Sequence, residues 1–238
     1  SCTVIKDKEI TDDELSLKYV DDRLLAMPPV ALMQVKKEMD YMFSLVEDSI
    51  LLSFEAIQTK DLKKSEKILK NETIIDFTNS ALTKFLIKLS ATVEQSDEKV
   101  IGSYFHVLND LERVGDHAEN FYEIVLDMVA KKIEFSENGQ ADIEKMCDKV
   151  TQMLALSKDA FDNLNVAELS QLTLLEEEID EMKKKLTANH FARLAEGNCN
   201  MSVSPYYSST VAGLERVADH LVNVGYSIVN PVGSQKEK

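Results

Sequence analysis

The sequence has no tryptophan, four prolines and seven glycines among its 238 residues. So few turn-forming positions exclude a fold of many short strands, and the abundance of Leu, Glu, Lys, Ala and Met favours long helices. Cysteine is also sparse. Cys2, Cys147 and Cys199 stand apart with no C-x-x-C pair, so neither a disulfide framework nor a thiolate zinc site is expected, and a reducing compartment fits best. Long apolar runs are missing: no stretch approaches the roughly 18 consecutive apolar residues of a membrane span, so the chain itself is not expected to cross a bilayer. Basic charge is short as well, with 27 Lys and Arg against 42 Asp and Glu and a formal net charge of −15. That field repels nucleic-acid phosphates and anionic lipid headgroups alike, which excludes nucleic acid and membrane surfaces as partners. The carboxylate excess suits cations or simply a solvated surface, and charge alone does not separate the two. No signal-peptide pattern is present, so Asn71-Glu72-Thr73 and Asn200-Met201-Ser202 are read as silent matches to the glycosylation pattern. The start at Ser1-Cys2 rather than Met suggests a piece of something longer.

What the chain does have is helical periodicity. Residues 1–28, with Asp12-Asp13-Glu14 and Asp21-Asp22, are only weakly periodic and end at Pro28-Pro29. They read as a linker or N-terminal extension docked on the rest. Six helices are expected at about 30–58, 61–91, 97–132, 138–163, 166–195 and 205–229, leaving 231–238 as a tail. In the first, Met39, Met42, Val46, Ile50, Phe54 and Ile57 form one stripe. In the third, Val100, Tyr104, Val107, Leu111, Val114, Ala118, Phe121, Val125 and Met128 alternate steps of four and three. Leu214, Val217, Leu221, Val224 and Ile228 repeat the pattern in the sixth. Ser136 and Gly139 punctuate one break, and Ser204-Pro205 reads as N-cap and first helical residue of the last helix.

The chain also resembles itself. Leu111-Glu-Arg-Val-Gly-Asp-His-Ala-Glu-Asn120 and Leu214-Glu-Arg-Val-Ala-Asp-His-Leu-Val-Asn223 agree at seven of ten positions, 103 residues apart. At nearly the same offset, Glu72 and Asp76 correspond to Glu176 and Asp180, and Met39, Met42, Val46 and Ile50 to Ile143, Met146, Val150 and Leu154. The chain is therefore expected to be all-α, a duplication giving two repeated three-helix bundles over 29–133 and 134–230.

An E-x-x-x-D spacing puts two carboxylates on one helix face a turn apart, where their repulsion costs about 0.2–0.5 kcal/mol. A cation between them reverses that cost. Any single pair is most simply a solvated face in so acidic a chain. Glu112/Asp116 and Glu215/Asp219 differ because they recur at the same phase within the matched decapeptides, each Glu directly after a buried-stripe leucine. The row continues to Asn120 and Asn223. If the second and third helices pack antiparallel, Glu72 and Asp76 can face Glu112 and Asp116; the fifth and sixth helices can do likewise with Glu176, Asp180, Glu215 and Asp219. The run Glu176-Glu-Glu leaves the register open there. Such an all-oxygen set suits hard or borderline cations, Mg²⁺, Ca²⁺, Mn²⁺ or iron, with Zn²⁺ a less natural choice. His117 and His220 follow each Asp and either orient a carboxylate or are satisfied locally, while His106 and His190 read as structural. Arg113 and Arg216 are expected to pair with carboxylates.

Other chemistries lack their residues. No histidine has Glu three positions before it, as carboxylate di-iron bundles require, and H-E-x-x-H, a Walker A loop and G-x-G-x-x-G are absent. No Ser or Cys has the setting of a nucleophile, so no enzyme activity is expected. Met39, Met42, Met146 and Met153 read as core filling.

The doubled decapeptide resembles the repeated signature of the PhoU family of phosphate-transport regulators. Tyr19-Val-Asp-Asp-Arg-Leu-Leu-Ala-Met-Pro28 and His190-Phe-Ala-Arg-Leu-Ala-Glu-Gly197 are similar, more narrowly, to the C-terminal PhoU-like domain of bacterial sodium/phosphate cotransporter-related membrane proteins. The resemblance spans about residues 19–230. It implies two three-helix bundles, multinuclear metal clusters and a cytoplasmic regulatory role at the inner face of the membrane. Carried over, the metal ligands are Glu72, Asp76, Glu112, Asp116, Glu176, Asp180, Glu215 and Asp219; from their place beside these acids, His117, Asn120, His220 and Asn223 are candidates for hydrogen-bonding support. The implied partners are a membrane phosphate transporter, on the same polypeptide or another, a signalling protein, and a second copy of the chain. The alternative is a helical scaffold or dimerisation module that binds no metal. Thr73-Ile74 and Gly213 depart from the pattern, so the two sites are expected to differ.

Overall fold

The computed structural model describes residues 15–227. The acidic cluster at 12–14, Cys2, Ile228 and the tail at 231–238 lie outside those residues. Six helices carry the fold: α1 (Pro28–Thr59), α2 (Ser65–Ser90), α3 (Gln95–Lys131), α4 (Glu137–Asn163), α5 (Leu169–Ala195) and α6 (Ser204–Ser227). No strand occurs among the described residues.

Each helix starts and stops for local reasons. Pro28 and Pro29 occupy the first turn of α1, where a missing N–H costs nothing. The Ser136 hydroxyl caps α4 by accepting from the Gly139 N–H at 3.2 Å. Helices α1, α3 and α4 end on left-handed residues that are not glycine, Lys60, Lys132 and Leu164, an economy forced by the scarcity of glycine. Several starts differ from the sequence reading, and α2 begins four residues later than expected, at Ser65. Residues Val166–Glu168 form a short 3₁₀ turn before α5. Ser204 is not a cap: Asn200 caps a 3₁₀ turn at Met201–Val203, α6 follows directly, and the Ser204 hydroxyl lies 3.0 Å from His190 Nε2.

The expected stripes point inward. All six named residues of α1 are buried, as are Val107 to Met128 of the α3 series and Leu214 to Val224 of α6. Val100 and Tyr104 are only half-buried. Met39, Met42, Met146 and Met153 are fully buried. Helix α3 packs on α1 and α2, α6 on α4 and α5, and α3 and α6 pack on each other as closely as on their own bundles, so residues of both repeats form one continuous core. Ser157 stitches α4 to α6 by donating to the Leu221 carbonyl at 2.8 Å. The segment before α1 lies on this body through buried Val20, the Tyr19 N–H donating to Glu38 Oε2 at 2.7 Å, and a Lys88–Asp22 ion pair at 2.7 Å.

Candidate metal centre

Helices α2 and α3 are joined by four residues, 91–94, and therefore run antiparallel along their shared face. Glu72 and Asp76, one turn apart on α2, meet Asp116 of α3. One oxygen from each lies within 4.8 Å of the other two. Glu176 and Asp180 of α5 meet Asp219 of α6 with the same spacing. These are equivalent positions of the two repeats, and they fix the register of the Glu176-Glu-Glu run: Glu178 is drawn off to Lys149 and Glu177 faces solvent.

Each triad is electrostatically unfavourable by itself. Two carboxylates about 4.8 Å apart repel by roughly 3 kcal/mol at an effective dielectric near 20. In the first site Glu72, Asp76 and Glu112 are therefore pushed toward the protonated form. Burial, then Asp116, Asp76 and Glu119, push the Glu72 carboxyl up to about 8. Asp76 is raised by burial and by Asp116, and Glu112 by burial, Asp116 and Asp76. In the second site burial, then Glu215, Asp180 and Glu176, raise Asp219 to about 6.

The residues fit a cation on two structural grounds. Glu72 Oε2 is buried with no hydrogen-bond partner among the described residues, a state that costs about 1–3 kcal/mol or more unless something compensates it. A hard cation held at 2.0–2.6 Å bridges oxygens up to roughly 4–5 Å apart, which is the span available here. A local concession makes room for Glu72: a Cβ on Gly115 would come within 2.9 Å of its Oε2. The equivalent residue is Ala218, and Glu176 opposite it is only half-buried.

The remaining expected residues stand apart from the triads. Glu112 lies outside the mutual 4.8 Å set, close enough to be perturbed by Asp116 and Asp76. Glu215 forms an ion pair with Lys183 at 2.8 Å. None of His117, Asn120, His220 and Asn223 hydrogen-bonds a triad carboxylate among the described residues. A helix turns about 100° per residue, so His117 and His220 face the α3–α6 contact, with ring centroids 6.2 Å apart. His220 Nδ1 donates to Asp110 Oδ1 at 2.8 Å and Asn223 Nδ2 reaches the same oxygen at 3.4 Å. Burial, then His220 and Arg216, lower the His117 imidazole to about 4. Arg113 and Arg216 make no ion pair among the described residues, contrary to the expected pairing with carboxylates; their side chains project toward a cavity between α3 and α6. His190 is structural, buried and stacked on Tyr207 at 4.5 Å. Asn71 is also occupied, its amide bonded to Asp48 and Ser49.

Sequence reading missed Glu119, Asn79 and Lys183. Glu119 lies one turn beyond Asp116 and is itself raised by burial, Glu123, Asp116 and Asp76. Its counterpart is Val222, so the search for repeated acids passed over it. Lys183 and Asn79 occupy equivalent positions, and comparing them would have exposed the charge difference between the sites.

Two stretches of the chain, residues 39–125 and 143–228, match the model of the PhoU domain. The phosphate-specific transport system accessory protein PhoU homolog 1 of Thermotoga maritima is 25% identical over 211 residues, covering 82% of this chain and 84% of that protein. The PhoU homolog of Clostridium acetobutylicum is 24% identical over 199 residues, 82% of this chain and 90% of that one. The crystal structure of PhoU from Pseudomonas aeruginosa superposes with a TM-score of 0.76 at 19% identity, covering 83% of this chain and 96% of its own. That of the phosphate transport system regulatory protein PhoU from Streptococcus pneumoniae gives 0.75 at 22% identity, covering 85% and 95%.

Proposed function

The chain belongs to the PhoU domain family, and from that premise we propose that it is a regulatory accessory protein of phosphate transport that holds metal ions on its two carboxylate sites. The observation that supports metal binding is the recurrence, in both repeats, of three carboxylate oxygens within 4.8 Å of one another. Repetition of so costly an arrangement has a physical rationale only if positive charge is supplied. Glu72, Asp76 and Asp116 would hold one ion or cluster, with Glu112 and Glu119 adding charge beside it; Glu176, Asp180 and Asp219 would hold the other, beside Glu215. A bound cation would supply the positive charge that these carboxylates on α2 and α3, and on α5 and α6, otherwise lack. Its role is regulatory rather than catalytic.

The regulatory partner is a phosphate transporter, as the names of the relatives indicate for those proteins. The segments at 19–28 and 190–197 favour a sodium/phosphate cotransporter, carried on the same polypeptide or met at the cytoplasmic face of the membrane. No described helix is long and apolar enough to cross a membrane, so any span would lie elsewhere.

Chelator-treated protein, re-equilibrated separately with Mn²⁺, iron, Mg²⁺, Ca²⁺ and Zn²⁺ at micromolar supply and assayed by elemental analysis, tests the metal reading. Wild type is expected to retain metal, Asp116→Ala and Asp219→Ala each to lose part of it, and the double variant nearly all. Wild type that retains none would support the metal-free scaffold instead, and hydrolase or oxidase turnover by loaded protein would replace regulation with catalysis. The transporter reading is tested by co-purifying the tagged chain with its host's phosphate transporter from phosphate-replete and phosphate-starved cells. Association that changes with phosphate supply is expected; its absence under both conditions counts against the proposal.

A further inference from the structure

A cavity of about 390 Å³ opens between α3 and α6, where the two repeats meet. It is lined by Arg113, Asp116, His117, Asn120, Arg216 and His220. Every one of these side chains is polar, and five of the six can donate hydrogen bonds. The arginines are equivalent residues of the two decapeptides, as are the histidines, so the local two-fold relation between repeats gathers four nitrogen-bearing side chains around one space. In a chain of net charge −15, acidic groups outnumber basic ones. Arg113 and Arg216 nevertheless form no ion pair or hydrogen bond among the described residues.

The repeats differ at this junction in a way that leaves donors unengaged. Asp110 occupies His220 Nδ1 and Asn223. Its counterpart is Gly213, whose missing side chain leaves His117 and Asn120 without an equivalent carboxylate. Both residues also line a second cavity of about 600 Å³ that continues the groove past Gly213 toward Tyr206 and Ser209.

We infer that this junction is a binding site for a small tetrahedral oxyanion, specifically inorganic phosphate that retains a proton. Guanidinium groups present paired N–H donors matched to phosphate oxygens, and two of them converging from different helices can hold one anion. Asn120 adds an amide donor. Asp116 on the same wall offers a carboxyl oxygen that can accept from the hydroxyl of hydrogen phosphate. This favours phosphate over sulfate, which carries no proton near neutral pH. The site joins residues of both repeats, so occupancy would bear on how they sit against each other. It shares Asp116 with the metal reading but rests on Arg113 and Arg216, which that reading does not use, and it stands without any metal.

Isothermal titration of chelator-treated protein with inorganic phosphate and, separately, sodium sulfate tests the inference. Saturable phosphate binding is expected, with sulfate at least about tenfold weaker and with Arg113→Gln and Arg216→Gln each weakening phosphate at least about tenfold. Both arginines are exposed, so the variants are expected to keep the wild-type thermal midpoint and metal content. That separates loss of the anion site from loss of the fold or of the carboxylate sites. Three results would overturn the inference: no saturable phosphate binding at millimolar supply without metal, equal affinity for sulfate, or phosphate binding unchanged in the Arg113→Gln/Arg216→Gln double variant.

Discussion

The two carboxylate sites occupy equivalent places in a duplicated fold yet are built to different tolerances. In the first, Gly115 lets Glu72 sink out of water, Asn79 offers no charge, and Glu119 adds another carboxylate. In the second, Ala218 fills the recess, Lys183 neutralises Glu215, and Val222 stands where Glu119 was. The first site is thus the more negative and holds the group buried deepest and shifted furthest, Glu72, although Asp76 and Asp116 beside it are exposed. Duplication kept the positions of the triads and released their surroundings. A cation should matter more to the first repeat than to the second.

The largest expected effect tests the asymmetry at the junction. A Cβ on Gly213 would lie 2.7 Å from the buried ring of Phe121, so Gly213→Ala is expected to destabilise by about 2–3 kcal/mol through overpacking. Asp110→Ala, at the equivalent position, removes hydrogen bonds and should cost about 1 kcal/mol. Denaturant melts of the two variants compare them directly, and equal losses would mean that the junction is symmetric in energy.

Next come the carboxylates themselves. The Glu72 carboxyl is raised from 4.5 to about 8, so the folded metal-free protein binds more protons than the unfolded chain and its stability falls as pH rises across that window. Glu72→Gln removes the group and should stabilise metal-free protein at pH 8 by about 2 kcal/mol, a figure already discounted for solvent screening. The gain should vanish below about pH 4.5. Asp219→Asn should show a smaller gain, about 1 kcal/mol, developing between 3.8 and about 6. Thermal melts across pH in chelating buffer check both, and a larger effect at Asp219 would reverse the ranking of the sites.

The smallest effect concerns Lys183. Its ion pair with Glu215 is partly exposed, so Lys183→Met should change stability by no more than about 0.5 kcal/mol. Removing the positive charge should nonetheless tighten Mn²⁺ binding at the second site severalfold, measured by titration in the Asp116→Ala background. Unchanged affinity would mean that Lys183 does not set the difference between the sites.

Much of this was legible in the sequence because helical periodicity and internal repetition are both linear signals. The buried stripe of α1 and the pairing of Glu72 with Asp76 follow from spacing alone. The α2–α3 contact that adds Asp116 followed from a short connection. What spacing could not supply was direction around the helix axis. Arg113 and Arg216 sit beside acids in sequence but project into the α3–α6 groove, and His220 reaches Asp110 on the other repeat rather than its neighbour Asp219. Those partners are fixed by how α3 meets α6, a tertiary fact with no period. Glu119 and Lys183 were missed for a related reason: a search for repetition finds what duplication preserved and overlooks what it changed.

The shared α3–α6 core has a consequence for the lineage of the fold. Phe121 of one repeat fills the space that Gly213 of the other leaves, and equivalent histidines face each other across the contact. The halves therefore stand to one another as subunits of an isologous dimer joined into a single chain. Two identical subunits would have been obliged to carry the same residue at the positions of Asp110 and Gly213. Covalent fusion lifted that obligation, so one half could keep an anchor for its histidine while the other opened a cavity.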